Sequence, residues 1–183
     1  MKEVSADGFI ADSWRLAAAI EASGWTPDAI FAIWRGGALP GIAVHEYFKA
    51  AGKNALLAPI TCESYSAPGK NAEPRWLRCA ETFDAIEPGW KILAIDDIFD
   101  TGATMASLSK IVEERGAKMK SACIYWNPRD GGARPDWWAR KTDGEWLAFP
   151  HELEGLPEAL VAKRCPWLQP RRTETIRPSS PSA

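Results

Sequence analysis

Residues 91–104 read KILAIDDIFDTGAT, and this stretch decides how the rest of the chain is read. An apolar run, Ile92, Leu93, Ala94 and Ile95, ends in the adjacent carboxylates Asp96 and Asp97. A third carboxylate, Asp100, follows Ile98 and Phe99, and after it come Thr101, Gly102, Ala103 and Thr104. A helix-forming segment occupies residues 105–115. The pattern predicts a buried parallel strand that opens through a short polar turn into a helix. In open α/β sheets ligands sit at the carboxyl ends of strands, and a helix N-terminus favours anions. Small and hydroxylic residues with unpaired backbone N–H groups suit a phosphate, and the neighbouring carboxylates suit hydroxyl groups or a hard cation. A phosphorylated sugar would satisfy both halves. Two plainer readings of the same residues are a strand end whose acids only cap the next helix, and an acidic pocket of the receiver-domain kind, which the DTGAT turn does not suit.

The whole chain sets the limits. With 183 residues, of which 46% are hydrophobic, there is enough length for one full core. A formal charge of -2 gives no electrostatic footprint for nucleic acid. No apolar run approaches the ~20 residues of a membrane span, and no apolar stretch typical of a signal peptide follows Lys2. Cys62, Cys79, Cys123 and Cys165 are widely spaced, with no CxxC pair, which points to reduced thiols in a cytoplasm rather than to disulfides or zinc.

From the N-terminus, Asp12 and Ser13 are candidate caps for a helix over residues 14–23, closed by Gly24. Residues 29–34 (AIFAIW) predict a first buried strand. Arg35-Gly36-Gly37 then leads into a helix over residues 38–50, and residues 55–60 predict the next strand. Two glycines let the backbone approach a ligand closely, and an arginine supplies planar donors for phosphate; on its own the turn is equally well a plain strand-to-helix connection. Residues 61–78 form a polar, proline-containing connection of the kind that serves as a lid, with Ser64, Tyr65 and Lys70 as its notable members. Residues 76–83 are read as a β-hairpin arm. Residues 104–115 are amphipathic, residues 121–126 (SACIYW) give another buried strand, and a short final helix is expected over residues 154–163. Alternating strands and helices predict an α/β fold with a doubly wound, mainly parallel sheet.

Two acids, two variable residues and then Asp-Thr-Gly-x-Thr resembles the PRPP-binding motif of the type I phosphoribosyltransferases. Ser64-Tyr65 resembles their flexible-loop pair, and Arg35-Gly36-Gly37 their pyrophosphate loop. In that family the loop carries a non-proline cis peptide just before the arginine, which places one at Trp34–Arg35. The Pro-Asp-aromatic-aromatic segment at 135–138 and the Trp-apolar-x-x-Pro run from Trp146 are similar to the hood of the xanthine-guanine and hypoxanthine enzymes. The resemblance covers roughly residues 29–152. It implies a single domain over residues 1–169, with a core near 25–127, a hood near 128–152 and a disordered tail over 170–183.

The resemblance also implies roles. Asp96 and Asp97 would orient the ribose hydroxyls, directly or through Mg²⁺. Asp100, Thr101, Gly102, Ala103 and Thr104 would hold the 5′-phosphate. Arg35, Gly36 and Gly37 would bind pyrophosphate, and Asp100 would be the general base. Trp146 would stack on a nucleobase and the Leu147 carbonyl would read its edge. The family's lysine before the proline that ends the last core strand is replaced by Asn127, whose amide can meet either a 6-oxo or a 6-amino group. The implied reaction joins PRPP to a purine, with guanine, xanthine or hypoxanthine favoured, in a cytoplasmic homodimer or homotetramer of purine salvage. The alternatives are an enzyme for adenine, a modified purine or a pyrimidine, and a non-catalytic regulator that senses PRPP or nucleotides.

Overall fold

The computed structural model describes residues 1–63 and 74–168. The lid residues Ser64, Tyr65 and Lys70 and the tail expected from residue 170 lie outside the described residues. By compactness the chain divides into Met1–Pro150 and His151–Ala183.

The first unit is built on a six-stranded sheet. Its elements are α1 (Ala6–Ala22), β2 (Ala29–Trp34), α2 (Ala38–Ala50), β3 (Leu56–Glu63), β4 (Arg75–Leu77), α3 (Ala80–Asp84), β5 (Lys91–Phe99), α4 (Ala103–Glu113), β6 (Lys118–Trp126) and β7 (Trp137–Lys141). Two short strands, β1 (Lys2–Glu3) and β8 (Leu147–Ala148), pair with each other in parallel. The main sheet runs β4-β3-β2-β5-β6-β7, parallel throughout except for the antiparallel β3–β4 pair. The central strands β2 and β5 are near-continuous apolar runs because helices cover both faces. Phe9, Leu16 and Ile20 of α1 pack with Val44 and Phe48 of α2 on one side. Phe83 of α3 packs with Met105, Leu108 and Val112 of α4 on the other. The expected doubly wound sheet is therefore the observed one.

This topology creates one crevice. From β2 the chain crosses through α2 to β3 on one side, and from β5 it crosses through α4 to β6 on the other. The two crossovers leave in opposite directions, so the space between the carboxyl ends of β2 and β5 is uncovered, which is where such sheets bind ligands. β2 pairs with β5 only as far as Ala32↔Ile95, whereas β6 follows β5 on to Phe99↔Trp126. Beyond Ile95 the β2 flank of β5 pairs with no strand among the described residues. Asp96 and Asp97 lie inside the strand rather than after it, at the point where that pairing ends.

Several expectations are corrected. α1 begins at Ala6, capped by Ser5, whose hydroxyl accepts from the Gly8 N–H at 3.2 Å; Asp12 and Ser13 are interior helix residues and buried. Ser13 Oγ donates to the Phe9 carbonyl at 2.8 Å, which satisfies it without a cap. Of residues 76–83, read as a hairpin arm, only Trp76 and Leu77 lie in β4, which pairs antiparallel with β3, and the rest lead into α3. The Pro-Asp-Trp-Trp segment enters the main sheet as its edge strand, aligned by Asp136, whose carboxylate accepts from the Ser121 N–H at 2.8 Å. In the second unit α5 (Glu158–Arg164) starts later than expected.

Asp12 anchors α1 to β7. Its carboxylate accepts from Arg140 Nε and Nη2 and from Arg15 Nη1, and its side chain is 6% exposed against 70% for Arg15. Removing Arg140 would leave a buried carboxylate with one solvated partner. We expect Arg140→Ala to cost about 2 kcal/mol in urea unfolding and Arg15→Ala about 0.5 kcal/mol or less. Equal costs would show that the Asp12 pairing does not hold β7 to α1.

Candidate functional site

The candidate site is built from two turns, one after β2 that packs on β5 and one at the end of β5. After β2 the chain passes a cis peptide at Trp34–Arg35, as expected, and then turns through Gly36 and Gly37 into α2. A Cβ on Gly36 would lie 2.5–2.6 Å from Cγ and Oδ2 of Asp97. A Cβ on Gly37 would meet the Ile95 carbonyl and, at 2.7 and 2.8 Å, the backbone O and N of Ile33. Only glycine leaves room, so the Arg35–Gly36–Gly37 turn lies directly against the carboxylate pair. Arg35 itself is exposed beside this contact.

The carboxylates are tightly coupled. Asp97 is buried, and Oδ1 of Asp96 accepts from the Asp97 N–H at 2.9 Å. Burial, and secondly the Asp97 charge, push Asp96 well above the usual carboxylate range; the side-chain hydrogen bond between the two acids acts in the same direction. The folded protein therefore keeps a proton on Asp96 at pH values where the unfolded chain, near pKa 3.9, has lost it. Stability from this source is present at low pH and declines as pH rises above the unfolded value and through the folded one. In urea unfolding, Asp96→Asn should stabilise the protein more at pH 8 than at pH 5. An equal gain at both would contradict a raised Asp96.

The second turn follows β5. Gly102, at φ 81°, is the N-cap of α4, and the Ala103 N–H donates to Thr101 Oγ1 at 3.3 Å. A Cβ on Gly102 would come within 2.8 Å of both Ala133 and Phe99, so the loop after β6 lies over this turn. The other first-turn N–H groups of α4 have no intrahelical acceptor and join the positive end of the helix dipole. The Cys62 thiol at the end of β3 lies near the Thr104 side chain of this turn. Burial raises the Cys62 thiol to about 11, so it is protonated near neutral pH and is no nucleophile.

Asp100 belongs to a cluster that the sequence reading only half identified. Asn127 follows β6, and its N–H donates to the Phe99 carbonyl at 2.9 Å. Asn127 Nδ2 donates to Asp100 Oδ1 at 2.8 Å. Arg129 grips the same carboxylate, through Nε to Oδ1 at 2.8 Å and Nη2 to Oδ1 and Oδ2 at 2.6 Å each. Oδ1 thus takes three donors and Oδ2 one. Arg129 is 29 residues from Asp100, and only its place on a loop at the carboxyl end of a strand hinted at a role.

Trp146 is 67% exposed, whereas Leu147 is buried in β8. The Trp146 and Ala148 carbonyls accept from Lys2 and Val4 of the β1 segment. Alternation along a strand leaves the intervening Leu147 carbonyl outside that ladder. Gly144 ties this segment to Asn127: a Cβ built on it would lie 3.8 Å from Asn127 Oδ1. The register Trp126↔Lys141 and the packed Trp126 and Trp138 rings, tilted by 56° with centroids 4.6 Å apart, hold the end of β6 beside the start of this turn.

Among the described residues no group of three or more His, Cys, Asp or Glu side chains forms a metal cage. An adjacent carboxylate pair does fit Mg²⁺, which keeps several waters and takes its remaining oxygens from a substrate. No helix among the described residues is long and apolar enough to cross a membrane.

Comparison with known proteins gives the same outline. The family model described as a phosphoribosyl transferase domain matches residues 4–153. A xanthine-guanine phosphoribosyltransferase of Idiomarina loihiensis is 27% identical over 124 residues, covering 68% of this chain and 70% of the relative. An adenine phosphoribosyltransferase of Agrobacterium fabrum is 37% identical over 51 residues, but the match spans only 28% of either chain. Among solved structures, a purine phosphoribosyltransferase from Pyrococcus horikoshii superposes with TM-score 0.68 at 22% identity, covering 85% of this chain and 97% of that one. A Neisseria gonorrhoeae protein solved with bound ppGpp gives TM-score 0.70 at 16% identity, covering 89% and 93%.

Proposed function

The chain belongs to the phosphoribosyltransferase family, and from that premise we propose that it transfers the phosphoribosyl group of PRPP to a purine base, releasing pyrophosphate and a nucleoside 5′-monophosphate. The observation that carries this reading is the contact of the first turn with β5 at the β2/β5 crevice, Gly36 against Asp97 and Gly37 against Ile95, on the strand that leads into the second turn. PRPP carries a 5′-phosphate at one end and a diphosphate at the other, with ribose hydroxyls between them, and the two turns with the carboxylate pair offer one partner for each.

In this reading Asp100, Thr101, Gly102, Ala103 and Thr104 hold the 5′-phosphate through amides, hydroxyls and the α4 dipole. Asp96 and Asp97 orient the ribose hydroxyls and would hold Mg²⁺, which when bound supplies charge neutralisation for the departing diphosphate. Arg35, Gly36 and Gly37 take the pyrophosphate through the guanidinium and backbone N–H groups, a largely electrostatic task. Asp100 accepts the proton lost from the base as a ring nitrogen bonds to the anomeric carbon; Oδ2, with a single donor, is the oxygen with capacity to spare. Trp146 stacks on the base and the Leu147 carbonyl reads its edge. Closure of the lid with Ser64, Tyr65 and Lys70 would exclude water from a carbocation-like sugar. The protein acts in cytoplasmic purine salvage as a homodimer or homotetramer, and exposed Trp34, Leu39 and Ile42 beside the first turn of α2 offer an apolar surface for self-association.

The carboxylates Asp96, Asp97 and Asp100 favour an enzyme over a nucleotide sensor, which has no need of a base. Stoichiometric pyrophosphate release that requires PRPP, Mg²⁺ and a purine together tests the proposal. Binding of PRPP with no release in the presence of any nucleobase would turn the reading towards the sensor.

A further inference from the structure

We infer that Asn127 makes this protein selective for a 6-aminopurine over a 6-oxopurine, because Asp100 fixes the direction of its amide. The inference rests on the phosphoribosyltransferase reading and names the base within it.

An asparagine amide has a donor end and an acceptor end, and taken alone either can face a ligand. Here the choice is forced. An ionised carboxylate only accepts, so the end of Asn127 that meets Asp100 Oδ1 at 2.8 Å must be Nδ2. Arg129 donates to both oxygens of the same carboxylate, so Asp100 acts as an acceptor throughout this cluster. The main-chain bond from the Asn127 N–H to the Phe99 carbonyl, 2.9 Å, fixes the residue that carries the amide. The other end, Oδ1, accepts from no donor among the described residues. It lies on the side of the Gly144 turn, 3.8 Å from where a Cβ on that residue would sit, and that turn leads to Trp146 and Leu147.

The chemistry of purines then sets what Oδ1 would meet. N7 and the C6 substituent share one edge of the ring. If Asp100 receives the proton of N7, the neighbouring side chain on that edge faces the C6 substituent, and Asn127 is bonded to Asp100. Adenine presents an N–H donor at C6, while hypoxanthine and guanine present an acceptor oxygen. An amide oxygen beside an amino group gains a hydrogen bond. Beside a 6-oxo group it sets two acceptors against each other and strands both. Turning the amide over to meet an oxo group would bring its oxygen against the Asp100 carboxylate, so the penalty moves but does not vanish. Arg129 is half-exposed, so its remaining donors are open to solvent. The hood resemblance favours 6-oxopurines through a lysine that this chain lacks; the fixed amide acts in the opposite direction.

A site built to pair with one polar group discriminates against a partner that cannot make the bond by about 10²-fold or more. The test compares kcat/KM for adenine and hypoxanthine with saturating PRPP and Mg²⁺ in the full chain, and calorimetric binding of AMP against IMP as a readout that needs no turnover. The inference expects adenine to exceed hypoxanthine by about 10²-fold or more, AMP to bind more tightly than IMP, and Asn127→Lys, which offers only donors, to reverse both orders. Hypoxanthine preferred by the wild-type protein, or equal use of the two, overturns the inference and leaves phosphoribosyl transfer intact. Failure to release pyrophosphate with any purine overturns the parent reading, and equal or absent binding of AMP and IMP would then remove this one as well.

Discussion

Replacing Asp100 with alanine is expected to lower turnover by about 10²–10⁴-fold, the usual worth of a positioned acid or base, while PRPP affinity stays within a few-fold. The separation follows from the structure of the turn. A 5′-phosphate held there is held mainly by backbone N–H groups and hydroxyls, and these do not depend on the Asp100 carboxylate. What depends on it is the acceptor for a proton and the anchoring of Asn127 and Arg129, all of which converge on its two oxygens. A second consequence distinguishes this account from a simple loss of base. With the carboxylate gone, nothing fixes the Asn127 amide, so the residual activity should discriminate less between 6-amino- and 6-oxopurines than the wild type does. Asp100→Asn is the companion variant. Its amide still offers an oxygen to Arg129 but has no strength as a base, so turnover should fall nearly as far while unfolding stability stays close to wild type. Steady-state kinetics with PRPP and base varied separately will show the split. Turnover of Asp100→Ala within a few-fold of wild type would remove Asp100 from the chemistry.

The second large effect belongs to the glycine pair, and the two positions should fail differently. A Cβ at residue 37 runs into the Ile33 and Ile95 backbones inside the sheet, where nothing can swing aside. Gly37→Ala should therefore lose about 3 kcal/mol of stability by overpacking. At residue 36 the obstacle is the Asp97 carboxylate, a side chain that can be displaced at the cost of its position. Gly36→Ala should thus fold with a smaller loss of stability and bind PRPP with Mg²⁺ about tenfold or more weakly, through misplacement of a carboxylate rather than through any group of its own. Urea unfolding paired with calorimetry separates the two outcomes. The reverse assignment, with residue 36 the structural failure and residue 37 the binding failure, would mean that the turn meets the sheet in some other way.

How much of this was legible in the sequence depended on whether a residue's role is set nearby or across the fold. The strand, turn and helix of residues 91–113 could be read because an apolar run, a glycine that needs positive φ and an amphipathic period occur in succession. The Gly36-Gly37 turn was legible as a turn, but its contact with Asp97 is a property of β2 ending beside β5 four residues before β5 itself ends. The start of α1 was missed because Asp12 and Ser13 look like caps, whereas burial has made one a partner of Arg140 and the other a donor to its own helix. Trp137 and Trp138 read as part of a hood because nothing local to them records that Asp136 will bond Ser121 and bring the segment alongside β6. Two-residue strands such as β1 and β8 carry no period at all. Asn127 was noticed for being unlike a lysine, but which end of its amide faces a ligand is decided by Asp100, and no local pattern contains that information.

The central claim is that the two turns at the β2/β5 crevice form a single PRPP site. Calorimetric titration of the full chain in the presence of Mg²⁺ with PRPP, ribose 5-phosphate and pyrophosphate in parallel tests it most directly. PRPP should bind more tightly than either fragment, by about tenfold or more, and Gly36→Ala should remove most of this advantage while leaving ribose 5-phosphate binding nearly unchanged. PRPP binding no tighter than its better fragment would show that the two turns do not act on one ligand.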